Sequence, residues 1–462
     1  MPAAAPPPIV RDPNPGALRA ALHLFYDATW LVAIVLASPW WLVRAALDPR
    51  FRRMAAERST VGLPRLRGGA RPRVLVHGVS VGEVKGAAPL VRALEARFPG
   101  VDVVVSASTD TGVEVARRAF PAQTVVRFPF DPSWWVQRFL RRLDPVAVVL
   151  IELEIWPNFL RECNRRGLPI AVANGRITDR SFGRYDVFKS ALPQFNRISF
   201  YGVQLEEYAE RFRRLGGAPE RVVVTGNLKA DGLGERAARD QGSAAEALRT
   251  LLALEPGRLV LVAGSTHGDE ERSVLEAWRA GVPEARLVLV PRHPPRADEV
   301  AAEVARAGQA VQRLTELRAG AACDPRAVVL VDTIGELEAL YALADLAFVG
   351  GSLVERGGQN VLEPAALGRA VLHGPHMDNF SQESALLAAA GASRTVRDAA
   401  ELAGALRELA ADPARRRAMG EAGRAAVASQ AGATARTLAL LEERCLRGLG
   451  PAFEVDRTPE RE

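Results

Sequence analysis

The sequence predicts an α/β protein with two doubly wound, Rossmann-like domains that face a cleft, preceded by an N-terminal membrane-anchor helix. From residue 73 onward, short apolar runs alternate with helical patterns and small-residue turns. The alternation is interrupted over residues 231–251, which lack strand character, and then restarts. Because the chain has 462 residues, it is long enough for two domains of ordinary size.

Changes in composition along the chain predict the boundaries of its parts. We expect a Pro-rich leader (1–20), an anchor segment (21–48), a first Rossmann-like domain (49–232), a linker (233–250), a second Rossmann-like domain (251–430), a C-terminal helix (431–450) and a tail (451–462). The strands predicted in the first domain are Val74–His77, Val101–Ser106, Thr124–Phe128, Val146–Ile151, Ile170–Ala173, Ile198–Val203 and Val222–Val224. Those predicted in the second are Leu259–Ala263, Arg286–Val290, Val328–Val331, Leu346–Val349 and Ala370–Leu372.

The overall composition, with 48% hydrophobic and 25% charged residues, excludes a disordered chain, a collagen and a disulfide scaffold. Cys163, Cys323 and Cys445 fit no CxxC spacing and leave one thiol unpaired in any bridging scheme, which indicates a reducing compartment and no metal site. Only three of the 60 Lys and Arg residues are Lys. Each Lys is therefore a candidate for a site that needs a compact point charge.

An uncharged apolar segment of sixteen residues, Ala28–Val43, lies near the N-terminus. Because about 20 apolar residues are needed to span a bilayer, the segment is either a short span or is buried in one leaflet. Trp40 and Trp41 suit the membrane interface. A cleaved signal peptide and a buried core helix are the alternatives, although two Trp followed by basic residues make a poor cleavage region.

Residues 44–73, here called the Arg collar, hold the basic excess of the chain. They contain nine Arg against Asp48 and Glu57, while the net charge of the full chain is +6. We expect the collar to hold the following domain on the cytoplasmic side and to attract anionic lipid head groups. The Arg residues expected to face the lipid are Arg50, Arg52, Arg53 and Arg58.

Acidic residues follow two predicted strands of the first domain, and chemistry in such folds lies at these strand ends. Glu83 stands at a helix start after a small-residue loop, so it either stabilises the helix dipole or acts as a general base toward a bound hydroxyl. Glu152 and Glu154 end an otherwise apolar strand, and burial there requires a partner. The candidate cations at later strand ends are Arg176, Arg180 and the rare Lys229.

The second domain carries signals of nucleotide binding. Residues 263–271 leave a strand with Ser and Thr that donate to phosphate or cap a helix, and the acidic residues that follow suit the helix dipole. Arg292 lies at another strand end, after Pro291. Gly335 begins a helix whose N–H groups are able to bind an anion.

The most specific pattern is strand, glycine loop, helix and strand over residues 348–375. Gly357 and Gly358 allow close backbone approach, and the helix near Asn360 carries Glu363 on its first turn, where it accepts hydrogen bonds from ribose hydroxyls or suits the dipole. The loop matches neither GxGxxG nor the P-loop pattern, which argues against a dinucleotide redox enzyme and a P-loop NTPase.

Eight motifs occur in order along most of the chain: HGVSVGE, LIELEIWPN, ANGRITDRS, TGNLK, AGSTHGDEE, VPRHP, DTIGEL and FVGGSLVERGGQNVLEPAALGRAVLHGP. Together with the N-terminal apolar segment, they resemble the 3-deoxy-D-manno-oct-2-ulosonic acid (Kdo) transferases of lipopolysaccharide synthesis. The sequence departs from the commoner family form at Gly78, Ile151, Leu153 and Gly175, but every charged group that the resemblance implies is present.

The resemblance implies a GT-B glycosyltransferase on the cytoplasmic face of the inner membrane, with the acceptor in the first domain and the CMP-sugar in the second. Such an enzyme moves Kdo from CMP-Kdo to a lipid A precursor (lipid IVA), with inversion and release of CMP. The resemblance implies Glu83 as the base and Glu152 and Lys229 as groups that stabilise the transition state. The CMP site that it implies consists of Pro291, Arg292, Ile334, Gly335, Glu336, Asn360, Val361, Leu362 and Glu363.

The expected partners are CMP-Kdo, a lipid A precursor and an anionic membrane surface. We expect no cofactor beyond the donor CMP-Kdo, no metal ion and no nucleic-acid partner. A membrane-associated transferase that uses a UDP-sugar is the main alternative. A sugar-nucleotide epimerase and a non-catalytic sugar-nucleotide binder are further alternatives.

Overall fold

The computed structural model describes residues 17–66, 68–189, 194–231 and 241–454. These residues form two compact units. Unit 1 contains the described residues up to 231 together with those from 432 onward, and unit 2 contains those from 241 to 431. Most of the predicted leader lies outside the described residues, whose first helix begins at Ala17.

Unit 1 begins with two consecutive helices. Helix α1 (Ala17–Leu47) has 31 residues, and its part Ala20–Leu47 is long and apolar enough to cross a membrane. The predicted apolar helix is therefore confirmed, and it extends beyond the uncharged run because the flanking Ala and Leu residues favour helix. Asp48 caps helix α2 (Pro49–Arg58) by accepting a hydrogen bond from the Arg50 N–H at 2.9 Å.

Seven parallel strands form the sheet of unit 1. They are β1 (Arg73–His77), β2 (Asp102–Ala107), β3 (Thr124–Arg127), β4 (Ala147–Ile151), β5 (Ile170–Gly175), β6 (Phe200–Val203) and β7 (Val222–Val224). Their order is β3-β2-β1-β4-β5-β6-β7, which reverses between β1 and β4. The loops after these two strands flank the switch point, where ligands bind in open parallel sheets.

Helices cover both faces of this sheet, which explains why its strands are nearly continuous apolar runs. Each helix follows a strand and returns the chain to the same end of the sheet. The helices are α3 (Val81–Arg97), α4 (Asp110–Ala119), α5 (Ser133–Leu143), α6 (Pro157–Arg165), α7 (Asp179–Phe188) and α8 (Glu206–Arg214).

Unit 2 contains a second sheet of seven parallel strands. They are β8 (Val260–Thr266), β9 (Arg286–Pro291), β10 (Val311–Arg313), β11 (Val328–Leu330), β12 (Leu346–Val349), β13 (Ala370–His373) and β14 (Ser393–Thr395). Their order is β10-β11-β9-β8-β12-β13-β14, with the reversal between β8 and β12. The edge strands β10 and β14 were not predicted, because each has three residues and no apolar run.

The helices of unit 2 include one in the second half of the predicted linker. Helix α9 forms there because Ala245, Leu248 and Leu252 recur at helical spacing and are buried. Residues 233–240 of the predicted linker lie outside the described residues. The helices are α9 (Gln241–Leu251), α10 (Glu270–Gly281), α11 (Ala297–Arg306), α12 (Leu314–Arg318), α13 (Leu337–Leu343), α14 (Leu362–Ala366), α15 (Ser381–Ala389), α16 (Ala399–Ala411) and α17 (Pro413–Ser429).

The C-terminal residues belong to unit 1. Helix α18 (Ala433–Leu441) packs on α3. Arg97 of α3 pairs with Glu442 at 3.0 Å, and Phe453 packs against Phe98 with ring centroids 5.5 Å apart. The predicted tail (451–462) therefore contributes a core residue, Phe453, and its part from residue 455 onward lies outside the described residues.

Candidate active site

Three carboxylates of unit 1 lie in the two loops that flank the switch point of its sheet. Glu83 follows β1, in the first turn of α3, and Glu152 and Glu154 follow β4. The sheet thus places the three acidic side chains at the same edge. Neighbouring carboxylates repel one another, so the cluster depends on groups that compensate their charge.

Glu83 is held by the turn that begins α3. Its carboxylate accepts hydrogen bonds from the Val79 N–H (2.7 Å) and the Ser80 hydroxyl (2.8 Å), and the Ser80 oxygen accepts one from the Glu83 N–H (3.4 Å). This reciprocal pattern is close to a capping box. Burial, and then the negative charge of Glu152, raise the pKa of the Glu83 carboxyl. Glu83 therefore stabilises the helix start and is also a stronger base than an exposed carboxylate.

Lys229 supplies the partner that the sequence requires for Glu152. Its Nζ donates to Glu152 Oε1 at 2.8 Å, and each side chain is 20% exposed. Asn174 Oδ1 accepts the Leu228 N–H and Asn227 Oδ1 accepts the Lys229 N–H, both at 3.0 Å. Glu152 and Asn174 have φ values of 64° and 58°, so strained backbone at two strand ends helps to define the ion pair.

Gly86 of α3 makes room for the stem of Lys229. A Cβ at position 86 would lie 3.2 Å from Lys229 Cγ and 3.3 Å from Cε. The other two lysines are placed differently, because Lys85 is exposed and Lys189 pairs with Asp186 at 2.7 Å. The rarity of Lys in this chain is thus, by itself, a weak indicator of a functional site. Lys229 differs from the other two lysines in its position after a strand end.

Glu154 lies between Trp156 and a buried histidine. Trp156 Nε1 donates to Glu154 Oε2 at 2.7 Å, and His77 Nε2 lies 3.9 Å from the same oxygen. Burial raises the pKa of Glu154 to about 7, and the charges of Glu83 and Glu152 act in the same direction. Burial lowers the pKa of His77 to about 3, so its ring is neutral at pH 7. Burial therefore favours the protonated form of Glu154, which reduces repulsion in the cluster.

Arg58 does not face outward, contrary to expectation. Its guanidinium lies over the Phe130 ring, 4.1 Å from the centroid, and this cation–π contact turns the partly exposed side chain inward. Burial, and then the charge of Arg127, lower the pKa of Arg58 to about 10, whereas the charge of Glu154 raises it. Arg58 therefore lies in the electrostatic surroundings of the carboxylates. Of the four arginines expected to face the lipid, the other three, Arg50, Arg52 and Arg53, are exposed.

In unit 2, a buried carboxylate occupies the glycine loop after β12. Glu270 accepts hydrogen bonds from the N–H groups of His267 (2.9 Å), Gly351 (2.6 Å), Ser352 (2.8 Å) and Leu353 (2.8 Å). Consecutive backbone N–H groups of this kind form an anion-binding nest, and an internal anion fills it here. Glu270 thus links the loop after β8 to the loop after β12, on the two sides of the point where the strand order of unit 2 reverses. Its position at the start of α10 predicts only a favourable interaction with the helix dipole.

Positive charge collects at the carboxyl ends of β8 and β9. Burial, and then the charges of His293, Arg292 and Arg356, lower the pKa of His267 to about 4. The rings of His267 and His293 lie 5.5 Å apart. Pro291 is buried at the end of β9, and Arg292 after it is exposed. The region is suited to attract an anion such as phosphate, and neither His267 nor Arg356 was indicated by its sequence position.

The other predicted nucleotide-binding residues lie in two loops. Glu336 pairs with Arg318 at 2.8 Å, and Ile334 is 78% exposed. Asn360 Nδ2 donates to Glu363 Oε1 at 3.2 Å. The helices that follow these loops, α13 and α14, have seven and five residues, so their dipoles are weaker than the sequence pattern suggested.

The glycine pair in the second loop is approached closely by protein side chains. Gly357 and Gly358 have φ values of 78° and 74°, and a Cβ would lie 2.3 Å from Asn379 Nδ2 and 2.4 Å from Met377 Sδ, respectively. The close backbone approach predicted at these glycines is thus made by the loop after β13. The remaining predicted residues are Gly335, with a φ of 106°, and the buried Val361 and Leu362.

Comparison with known proteins assigns the family. The family model for 3-Deoxy-D-manno-octulosonic-acid transferase (kdotransferase) matches residues 46–232. A 3-deoxy-D-manno-octulosonic acid transferase of Bordetella pertussis is 35% identical over 446 residues, covering 92% of this chain and 97% of the relative. The chain belongs to the Kdo transferase family. A Kdo transferase of Haemophilus influenzae is 32% identical, with 91% and 98% of the two chains covered.

Membership makes this chain a glycosyltransferase that transfers Kdo, with a role in lipopolysaccharide synthesis, as the motifs predict. A solved structure of UDP-GlcNAc 2-epimerase from Neisseria meningitidis has a TM-score of 0.56 and 12% identity, covering 80% of this chain and 100% of that one. This likeness concerns the fold alone. The predicted fold class, with two parallel α/β sheets and an N-terminal apolar helix, is confirmed.

Enlarging Gly86 is expected to slow Kdo transfer by moving Lys229. The Gly86→Val side chain displaces Nζ from Glu152, and we expect kcat to fall by about 10-fold or more, since a misplacement of about 1 Å can cost about 10²-fold. Gly82→Ala on the same helix is the matched control, because a Cβ there meets only Ser80 Oγ, at 3.8 Å. Steady-state assays in which Gly86→Val keeps the parent kcat would show that the position of Lys229 is unimportant.

Proposed function

We propose that this Kdo transferase moves Kdo from CMP-Kdo to a hydroxyl of a lipid A precursor, lipid IVA, with inversion at the anomeric carbon and release of CMP. The observation that carries the proposal is the cluster of Glu83, Glu152 and Glu154 around the switch point of unit 1, with Lys229 bound to Glu152 at 2.8 Å. A carboxylate with a raised pKa beside a fixed cation is suited to acid–base chemistry on a hydroxyl.

Glu83 is the proposed base. It accepts the proton from the acceptor hydroxyl while the hydroxyl oxygen forms a bond to the anomeric carbon and the bond from that carbon to the CMP phosphate oxygen breaks. The hydrogen bonds from Val79 and Ser80 hold the carboxylate in place, which reduces the cost of ordering it at the moment of reaction. Its raised pKa makes it a better proton acceptor near neutral pH.

Glu152 and Lys229 are the proposed transition-state stabilisers. Glycosyl transfer passes through an oxocarbenium-like state, in which positive charge develops on the sugar. The Glu152 carboxylate is suited to stabilise that charge, while the Lys229 ammonium holds Glu152 in place and offsets negative charge on the reacting groups. Asn174 and Asn227 orient the backbone that carries Lys229, and Lys229 Nζ in turn holds the Glu152 carboxylate, so both groups are preorganised.

Unit 2 is the proposed CMP site, built from Pro291, Arg292, residues 334–336 and residues 360–363. Arg292 and Arg356 place positive charge near His267, and the charge of these two arginines supports binding of the single phosphate of CMP. A monophosphate leaving group requires less charge compensation than a diphosphate. We therefore propose that these residues suffice and that the reaction takes no cofactor beyond CMP-Kdo and no metal ion.

The acceptor and the apolar helix support a membrane location. We place the enzyme at the inner membrane, with its catalytic units on the cytoplasmic side and the exposed Arg50, Arg52 and Arg53 at anionic head groups. Mass spectrometry of the product formed from CMP-Kdo and a tetra-acylated lipid A precursor tests the acceptor. A mass increase that corresponds to Kdo is expected, and an unmodified acceptor would contradict the proposal.

Glu83→Gln is expected to bind CMP as tightly as the parent but to lose about 10²- to 10⁴-fold in kcat, because a general base contributes about that much. Initial rates of CMP release, with calorimetry for CMP affinity, measure the two effects separately. The surface variant Glu114→Gln on α4 serves as the matched control. Near-normal turnover of Glu83→Gln would remove Glu83 from the role of base.

Glu363→Ala is expected to weaken CMP binding by about 1 to 3 kcal/mol, because ribose hydroxyls are left unpaired. The exposed Glu355 in the same loop provides the control variant Glu355→Ala, which should keep the parent affinity. Calorimetry on both variants gives the comparison. If Glu363→Ala binds CMP like the parent, the nucleotide lies elsewhere.

A further inference from the structure

One side of helix α1 is docked on unit 1 by polar contacts. His23 Nδ1 lies 3.2 Å from Asn158 Oδ1, and Asp27 Oδ1 accepts hydrogen bonds from Asn158 Nδ2 (2.8 Å) and from the Ser133 N–H (2.9 Å). Asp131 completes the junction by accepting the Asn158 N–H at 3.0 Å. Asn158 and Asp131 are buried, and His23 is 3% exposed. The contacts therefore form a specific polar interface within the unit.

Aromatic contacts continue the same docked side toward the C-terminal end of α1. Trp30 and Trp41 both pack on Phe130, with ring centroids 6.0 Å and 5.5 Å apart. Positions 23, 27, 30 and 41 are spaced by nearly whole helical turns, so they share one face. The docked face consequently extends over roughly 27 Å of the helix.

The opposite side of α1 is an apolar surface without a partner among the described residues. Several of its side chains are more than two-thirds exposed, including Leu24 at 69%, Leu36 at 76% and Leu47 at 79%. The exposed arginines of α2 follow directly in the chain. The other large exposed apolar residues of α1 are Phe25, Leu31, Val32, Val35, Leu42, Val43 and Trp40, of which Trp40 also contacts Phe51 of α2 at the edge of this surface.

We propose that α1 lies along the membrane surface within one leaflet, with its apolar side in the acyl chains and its docked side against unit 1, and that it does not span the bilayer. A spanning α1 that kept its contacts would carry Ser133, Asp131 and Asn158 into the hydrocarbon core, where buried charges and irregular backbone are strongly disfavoured. The exposed arginines beside the apolar side match the anionic head groups of a lipid leaflet, which a second copy of this basic chain does not offer.

This topology links the membrane to the active site, and in that respect it rests on the proposed lipid acceptor. Asn158 lies in the first turn of α6, which follows the loop that carries Glu152 and Glu154. Arg58 of α2 packs on Phe130, which also contacts α1. An in-plane α1 therefore holds the carboxylate cluster at a constant height above the leaflet.

Spin labels placed along the apolar side test the proposal on the full chain. Single cysteines replace Leu24, Leu36 and Leu47, one at a time, in a Cys323→Ser background; the remaining Cys163 and Cys445 are buried. The protein is added from outside to vesicles of phosphatidylethanolamine and phosphatidylglycerol, and label depth is measured from relaxation by oxygen and by a water-soluble nickel complex. We expect all three labels at similar depths, about 5–10 Å into the interface, and all reducible by external ascorbate.

Several outcomes would overturn the proposal. A label at position 36 near the bilayer centre, with position 24 or 47 protected from ascorbate, indicates a spanning helix. Labels that stay in water indicate that the apolar side does not bind lipid, and labels immobilised without vesicles in a dimeric protein indicate a second copy as the occupant. No substrate is present, so these results are independent of whether lipid IVA is the acceptor.

Variants that remove the exposed charges of α2 test the contact between these arginines and lipid head groups. Replacing Arg50, Arg52 and Arg53 with Gln should lower affinity for anionic vesicles by about 5-fold per residue at low salt, and less at high salt. Arg58 is retained because it packs beside the active site. CMP affinity and transfer to a water-soluble acceptor analogue should stay at parent levels. Unchanged vesicle binding at low salt would contradict the contact of these arginines with lipid.

Discussion

The ion pair between Lys229 Nζ and Glu152 Oε1 is the interaction on which the carboxylate cluster of unit 1, the proposed active site, depends. A doubly wound sheet brings the ends of β1 and β4 together, and this chain places three carboxylates there. Removing the cation from such a partly buried cluster leaves uncompensated negative charge, which is strongly unfavourable. Several neighbouring residues position this ion pair. Gly86 gives the Lys229 stem its space, and Asn174 and Asn227 orient the backbone that carries it.

A second constraint comes from the N-terminal apolar helix. Helices α1 and α2 both pack on Phe130, and α1 also contacts Asn158 in the first turn of α6. The apolar helix and the loop that carries Glu152 and Glu154 therefore share a supporting structure. Phe130 receives Trp41 from α1 and the guanidinium of Arg58 from α2. The proposed membrane-binding helix is consequently part of the folded unit, and its orientation determines the orientation of the carboxylate cluster.

The fold class, the family and the carboxylate positions were predictable because they depend on local patterns. Buried parallel strands are apolar runs, and Glu83, Glu152 and Lys229 stand at strand ends that the runs delimit. The inward turn of Arg58 was not predictable, since it depends on Phe130 from a distant segment. The same holds for Glu270, whose four backbone partners include three from a loop far along the chain. Strands β10 and β14 were missed because short polar edge strands carry no hydrophobic signal.

The most direct test of the carboxylate cluster as the catalytic centre is the acidic limb of the pH profile of kcat/KM. Activity should fall as the pH drops through the raised pKa of Glu83, because protonation removes the base. The negative charge of Glu152 raises this pKa and the positive charge of Lys229 lowers it. The limb should therefore move to lower pH in Glu152→Gln and to higher pH in Lys229→Met. A limb at the same pH in the parent and both variants, or shifts in the opposite directions, would contradict the assignment of Glu83 as the base within this cluster.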